Sequence, residues 1–277
     1  MPILADYHLH THHSGDSKAP MEAMINEAVQ RGLKEICFTD HMDLDYPDCY
    51  DLLADPFTLD IPAYKKELLK YKEQYASDIT VKYGIEIGMQ KSCLEANKSI
   101  VRSNDFDFVI ASIHLVDGLD PYYESFWKGD TIENIYKRYF DVTLENITLF
   151  SDFDVLGHLD YMARYVFPKD DTTYSYERFS DRIDEILRFL AANGKGLDIN
   201  SKVLASDPNG IPNPCPEALK RFKELGGQII TFGSDAHAPA GIAAGFVRLR
   251  DIALSCGFTE YYTFEKRTPV AHKLYSD

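Results

Sequence analysis

Asp6-Tyr7-His8-Leu9-His10 is the stretch from which the fold is read. It follows the apolar run Ile3-Leu4-Ala5, which predicts a strand over residues 3–7 with two histidines at its end. On extended backbone, residues two apart point to the same face. His8 and His10 can therefore offer both imidazoles to one ion, a spacing that suits metal ligation better than a catalytic dyad. A solvated turn explains a lone His-x-His equally well, so the rest of the chain must decide.

The same arrangement recurs along the sequence. Residues 35–39 read as a second strand ending in Asp40-His41, and residues 80–87 as a third containing Glu86. Residues 106–113 make a fourth, ending at His114, and residues 153–156 a fifth, ending in Gly157-His158-Leu159-Asp160. A sixth over 196–199 ends in Asn200, and a seventh over 228–232 ends in Gly233-Ser234-Asp235-Ala236-His237. Residues 261–264 read as a short terminal strand. Helical spacing of apolar residues marks 21–31, 61–75, 94–103, 132–149, 176–192, 216–225 and 241–255. Alternating strand and helix implies an α/β fold with a mostly parallel sheet.

The polar motifs fall at the C-terminal ends of successive strands, where a closed barrel of βα units gathers its active site. An open doubly wound sheet would use only the loops near its switch point, with a Gly-rich phosphate turn early in the chain. No such turn follows the first strand. A barrel of about seven βα units is the expected architecture.

Composition sets the outer limits. With 277 residues, 45% of them hydrophobic, one chain can fill a barrel core, and nothing resembling a linker divides residues 1–277. A single domain is expected. The formal net charge of -15 repels a phosphate backbone, so nucleic-acid binding is not expected, while a small phosphorylated substrate stays compatible. The five scattered cysteines, Cys37, Cys49, Cys93, Cys215 and Cys256, form no C-x-x-C pair and read as reduced thiols. No signal segment and no transmembrane run is visible, which points to a cytoplasmic protein without membrane attachment. Oligomeric state is not legible.

Strand-end positions supply His8, His10, His41, Glu86, His114, His158, Asp235 and His237, with Asp16 in the first loop. Six of the nine histidines thus occupy equivalent places, whereas random placement would scatter them through helices and loops. His114 or His158 alone would read as a hydrogen-bonded core histidine; the set does not. Imidazole with carboxylate suits zinc, manganese or iron. Nine ligands are too many for one catalytic ion, which normally takes three protein ligands and leaves a position open. Two or three divalent transition-metal ions sharing a carboxylate and a hydroxide fit better, and such clusters support hydrolysis of phosphoryl or acyl substrates.

Taken together, Asp6-x-His8-x-His10, Thr39-Asp40-His41, Glu86, Ser112-Ile113-His114, Gly157-His158-x-Asp160 and Ser234-Asp235-Ala236-His237 resemble the PHP (polymerase and histidinol phosphatase) family. The similarity runs from residue 6 to about 240, and the segments His114-Leu115-Val116-Asp117-Gly118 and Gly157-His158-Leu159-Asp160 resemble the stand-alone histidinol-phosphate phosphatases most. The resemblance implies a distorted (β/α)7 barrel with a trinuclear metal centre. It implies one ion on His8, His10, Glu86 and Asp235, and a second on Glu86, His114 and His158. A third would lie on Asp16, His41 and His237, although some relatives carry a histidine at Asp16, and His12 and His13 stand nearby. It further implies a histidinol-phosphatase of histidine biosynthesis, in which a metal-bridging hydroxide attacks phosphorus in line.

For the substrate, Arg164 and Lys202 are the cations closest to strand-end motifs and are expected to contact phosphate, with Asn200 beside them. Asp43 and Asp160 are candidates to bind an amine or to protonate the leaving alkoxide. Asp160 could instead orient His158. Tyr122, Tyr123 and Trp127 either wall a pocket or pack as a lid. Ser14, Ser17 and Cys37 lack the setting of a nucleophile. Three other readings stay open: a phosphoesterase for another small ester or nucleotide, a metal-dependent amidohydrolase, and a non-catalytic metal-stabilised module.

Overall fold

The computed structural model describes residues 3–50 and 56–275. Strand β1 (Ala5–Leu9), helix α1 (Met21–Gln30), β2 (Glu35–Phe38) and the two-residue β3 (His41–Met42) come first. They are followed by α2 (Ile61–Gln74), β4 (Thr80–Gly88), α3 (Leu94–Ser103), β5 (Phe108–Ser112) and α4 (Ile132–Leu149). Next are β6 (Val155–Leu156), α5 (Tyr176–Ala192), β7 (Gly196–Asn200), α6 (Lys202–Ser206) and α7 (Pro216–Glu224). The chain ends with β8 (Ile230–Gly233), α8 (Phe246–Ser255) and the hairpin β9 (Glu260–Glu265) and β10 (Thr268–Lys273).

The strands pair in the order β1-β2-β4-β5-β6-β7-β8, all parallel, with β3 added beside β4. Closure comes from β1 meeting the end of β8. The Asp235 amide donates to the His8 carbonyl at 2.8 Å, and the His10 amide to the Ala236 carbonyl at 3.0 Å. Asp6 completes the seam by accepting from the amides of Ser234 and Ala243, each at 3.0 Å. The expected α/β barrel of seven principal strands is what the chain forms.

Two local expectations are corrected. The first strand runs on through Leu9, so His8 lies within it, because the seam with β8 supplies hydrogen bonds that the sequence does not display. The terminal strand is half of an antiparallel hairpin, turned at Lys266-Arg267, where both residues have positive φ. Tyr7 anchors that hairpin by accepting from the Phe264 amide at 2.9 Å.

Strands with both faces covered read as apolar runs, and β5 (Phe108-Val109-Ile110-Ala111-Ser112) is buried throughout. The amphipathic helices lay their apolar faces on this sheet, as α5 does with Phe179, Ile183, Ile186, Leu187 and Leu190. Cys37, Cys93, Cys215 and Cys256 are buried free thiols, while the Cys49 side chain lies outside the described residues. Among the described residues, no helix is long and apolar enough to cross a membrane.

Candidate metal centre

Glu86, on the last part of β4, stands at the middle of the barrel mouth and is fully buried. Its Oε2 lies 3.1 Å from His8 Nε2, 3.1 Å from His41 Nδ1 and 3.4 Å from His10 Nε2. Its Oε1 lies 3.0 Å from His158 Nε2 and 3.3 Å from His114 Nε2. Asp235 reaches His10 Nε2 at 3.5 Å, and Asp16 reaches His237 Nε2 at 2.9 Å and His41 Nε2 at 3.7 Å. All nine strand-end and first-loop residues are therefore brought to one place.

The donor set fits metal ions. Among the described residues, buried His8 Nε2, His10 Nε2, His41 Nδ1 and Glu86 Oε2 have no hydrogen-bond partner, although they face one another across 3.1–3.4 Å. Lone-pair atoms buried without donors are costly unless a cation satisfies them. Four ligand groupings converge here: His8 with Glu86 and His158, His41 with Glu86 and His114, His8 with His10 and Asp235, and His10 with His41 and His237. These groupings overlap and leave out Asp16, but the close pairs run as the resemblance implies: Glu86 Oε2 with His8 and His10, Glu86 Oε1 with His114 and His158, and Asp16 with His41 and His237.

The electrostatics follow from burial. Desolvation would raise Glu86, yet His8, His114 and His41 hold its carboxyl well below the ordinary range. Desolvation would lower His114, yet Asp43 and Glu86 push it up to about 10. His158, with burial dominant, falls to about 4.

Second-layer carboxylates orient the ligands, and sequence reading missed most of them. Asp198, on β7 and fully buried, accepts from His8 Nδ1 at 2.9 Å. A neutral imidazole that donates from Nδ1 presents Nε2 as a free lone pair. Asp40 accepts from Ser14 Oγ at 2.6 Å, and the same hydroxyl lies 3.2 Å from His10 Nδ1. Asp43 sits 2.7 Å from His114 Nδ1. The only sequence signal for Asp198 was a charged residue two positions before Asn200 in an apolar strand.

A cavity of about 390 Å³ opens over these ligands. Its walls include Asp43, Tyr46, Asp120, Tyr122, Tyr123, Tyr161, Arg164, Tyr165 and Lys202. Arg164 donates from Nε to Asn213 Oδ1 at 2.6 Å and from Nη1 to Asp235 Oδ2 at 2.8 Å. Its buried Nη2 has no partner among the described residues. Lys202 Nζ lies 2.7 Å from the Asp235 carbonyl and 2.6 Å from His237 Nδ1.

Two sequence expectations are corrected by placement. Asp160 does not line this cavity: its carboxylate accepts from Tyr174 Oη at 2.6 Å, the Cys215 amide at 2.9 Å and Asn213 Nδ2 at 2.5 Å. It braces the loop before α7 and does not orient His158. Asn200 is buried below the ligands, with its amide nitrogen 3.2 Å from Asp198 Oδ2 and 3.3 Å from Asp235 Oδ2, so it supports carboxylates instead of touching substrate. Of the two readings for Trp127, the packed lid is the one the structure has: Trp127 is buried and donates to the Pro121 carbonyl at 2.9 Å. Asp120 was missed: it accepts from Tyr46 Oη at 2.5 Å and from the Tyr122 amide at 2.8 Å, in a loop whose sequence shows no periodicity.

Comparison with known proteins is consistent across sequence and fold. The family model described as PHP domain matches residues 6–202. A Clostridium acetobutylicum protein named "Probable histidinol-phosphatase" is 36% identical over 265 residues, which is 96% of this chain and 98% of that one. The histidinol-phosphatase of Lactococcus lactis is 33% identical over 94% of this chain and 93% of its own. The crystal structure of histidinol phosphate phosphatase from Lactococcus lactis, complexed with zinc, L-histidinol and phosphate, has a TM-score of 0.87 at 32% identity. It covers 96% of this chain and 98% of its own. A solved structure from Listeria monocytogenes shares the fold, with a TM-score of 0.75 at 19% identity over 88% of this chain and 99% of that one.

Proposed function

This chain belongs to the PHP domain family, and from that premise we propose that it hydrolyses L-histidinol phosphate to L-histidinol and phosphate. The observation that carries the reading is the buried ring of histidines around Glu86 beneath a cavity lined in part by Arg164, whose buried Nη2 has no partner among the described residues. The enzyme is a metal-dependent phosphomonoesterase, and the similar Lactococcus lactis structure with zinc, L-histidinol and phosphate supports both cofactor and substrate.

His8, His10, Asp16, His41, Glu86, His114, His158, Asp235 and His237 would hold two to three divalent ions. Such ions lower the pKa of water and offset charge on phosphoryl oxygens. Arg164 donates to the phosphate from Nη2, while its other two nitrogens are fixed on Asn213 and Asp235 and lose little freedom on binding. Lys202 adds a point charge.

The substrate's ammonium needs an anion, and Asp43 and Asp120 are the cavity-lining carboxylates outside the nine candidate ligands, Asp43 being hydrogen-bonded to His114. Burial would raise Asp43, but His114 holds it down to about 2, so it is ionised and serves as an acceptor, not as a proton donor. Burial raises Asp120, only partly offset by Tyr46, which makes it the better candidate to protonate the leaving alkoxide. Tyr122 at 61% exposure forms the outer wall.

We read residues 1–277 as one barrel domain acting in the cytoplasm on a small phosphorylated substrate. The test is phosphate release from L-histidinol phosphate beside p-nitrophenyl phosphate and a nucleoside monophosphate, with metal content measured on the same sample. Preference for histidinol phosphate, abolished by chelation, is the expected result. Equal, weak turnover of all three by fully metallated protein would remove the substrate assignment.

A further inference from the structure

His12 and His13, which stand next to the first ligands in sequence, are not drawn into the centre. Both turn to helix α2, where Glu67 Oε2 lies 3.3 Å from His12 Nε2 and 2.8 Å from His13 Nε2. The three ligand atoms lie within 4.8 Å of one another. We propose that His12, His13 and Glu67 form a peripheral site for one zinc-like divalent ion, separate from the catalytic cluster. Nothing in this inference depends on the phosphatase reading.

The chemistry and the geometry agree. Two imidazoles with one carboxylate are a donor set for borderline cations such as zinc, and three protein ligands leave a position for water. Donor atoms bound at about 2.0–2.1 Å to one tetrahedral zinc stand roughly 3.3 Å apart. The His12–Glu67 separation already has that value, and the His13–Glu67 pair has to open by only a side-chain adjustment.

The ligands are also held before an ion arrives. The His12 amide donates to the Ala19 carbonyl at 2.9 Å, and the His13 amide to Thr11 Oγ1 at 3.2 Å. The His13 ring packs edge-on against Tyr64, itself fixed by hydrogen bonds to the Phe38 and Gly84 carbonyls at 2.9 and 3.0 Å. With the backbone and one ring already ordered, little conformational freedom is left to lose on binding. The His12 side chain is 43% exposed, so an ion can enter from solvent.

Position gives such an ion a role. The loop carrying His12 and His13 also carries His10 and Asp16, and Glu67 belongs to an outer helix of the barrel. An ion here would clip that loop to α2. The competing occupant of the same geometry is a proton, giving a His–Glu ion pair with no metal.

The experiment uses the holoprotein with its cluster filled and its metal content measured. Zinc is titrated at neutral pH by calorimetry into wild type, His12→Gln and Glu67→Gln, with melting temperature followed in parallel. The expected result is one further equivalent in wild type, with a rise in melting temperature, and loss of both in each variant. The metal content of the cluster should be unchanged. The two substitutions lie on different elements and remove no buried side chain, so one misfolded variant does not decide the outcome. No further equivalent in wild type, or equal uptake by wild type and both variants, overturns the site and leaves the ion pair.

Discussion

Arg164 shows what a single side chain has to do at this mouth. Two of its nitrogens are fixed on Asn213 and Asp235, and its buried Nη2 has no partner among the described residues, which leaves that donor for the phosphate in the proposed reaction. Arg164→Ala should lower kcat/KM for histidinol phosphate by on the order of 10²-fold, the range of a lost charge-stabilising donor. Arg164→Lys should recover only part, because a point charge cannot reproduce the fork. Steady-state kinetics at matched metal content separate the two.

Asp198 works through another residue. Removing its charge in Asp198→Asn, without changing its size, should weaken metal affinity by about 10–100-fold through the orientation of His8. Chelator competition measures this directly. A loss of turnover with unchanged metal affinity would assign Asp198 a different role.

At the scale of elements, close approach decides two positions. A Cβ at Gly88, at the end of β4, would collide with the Asp43 carboxylate, and one at Gly233, at the end of β8, with His8 Cβ and Asp198. Both glycines are sites where a carboxylate that orients a ligand crosses the backbone of a neighbouring strand. Gly88→Ala should cost about 1–3 kcal/mol by overpacking, read as a lower melting temperature, and should displace Asp43 from His114.

Helix α5 is tied to α7 by Asp184, which accepts from Arg221 Nη2 at 2.8 Å, and within itself by Arg188 at 2.9 Å. Asp184→Asn should cost about 1 kcal/mol at neutral pH. Although burial raises this carboxyl, Arg221 and Tyr176 hold it below its ordinary value. Its contribution is then fully present above the unfolded pKa of about 3.9 and is lost as pH falls through the lower folded value. Denaturant titrations at pH 7 and pH 2.5 should show the wild-type advantage shrinking in acid; an advantage independent of pH would refute the ion-pair account.

For the whole molecule, closing the barrel and building the centre are the same event. The seam hydrogen bonds from Asp235 and His10 join β1 to the end of β8, and both residues are also members of the ligand set. Asp235 holds a positive φ of 53° to serve both ends, a conformation that is sparsely populated for non-glycine residues. Chelation should therefore abolish turnover and also lower the melting temperature, both restored by adding metal back, since ions that bind only the folded state stabilise it by mass action. Loss of stability in a protein that never turned over substrate would favour the non-catalytic module.

The sequence by itself determined the alternation of strand and helix, the placing of polar motifs at strand ends and the nine candidate ligands that the barrel brings together. Those features are local: strand and helix periods are written in a few consecutive residues, and imidazole or carboxylate at a strand end keeps its chemistry wherever the strand lies. Only the tertiary structure decided which carboxylates face the cavity. Asp120 turns in, Asp160 turns away to Asn213, Cys215 and Tyr174, and Asp198 supports His8 from below. It also decided that His12 and His13 leave the cluster for Glu67, more than fifty residues away in sequence. A side chain's direction at a loop or strand end depends on which distant donor reaches it once the barrel has closed, and no short stretch of sequence encodes that partner.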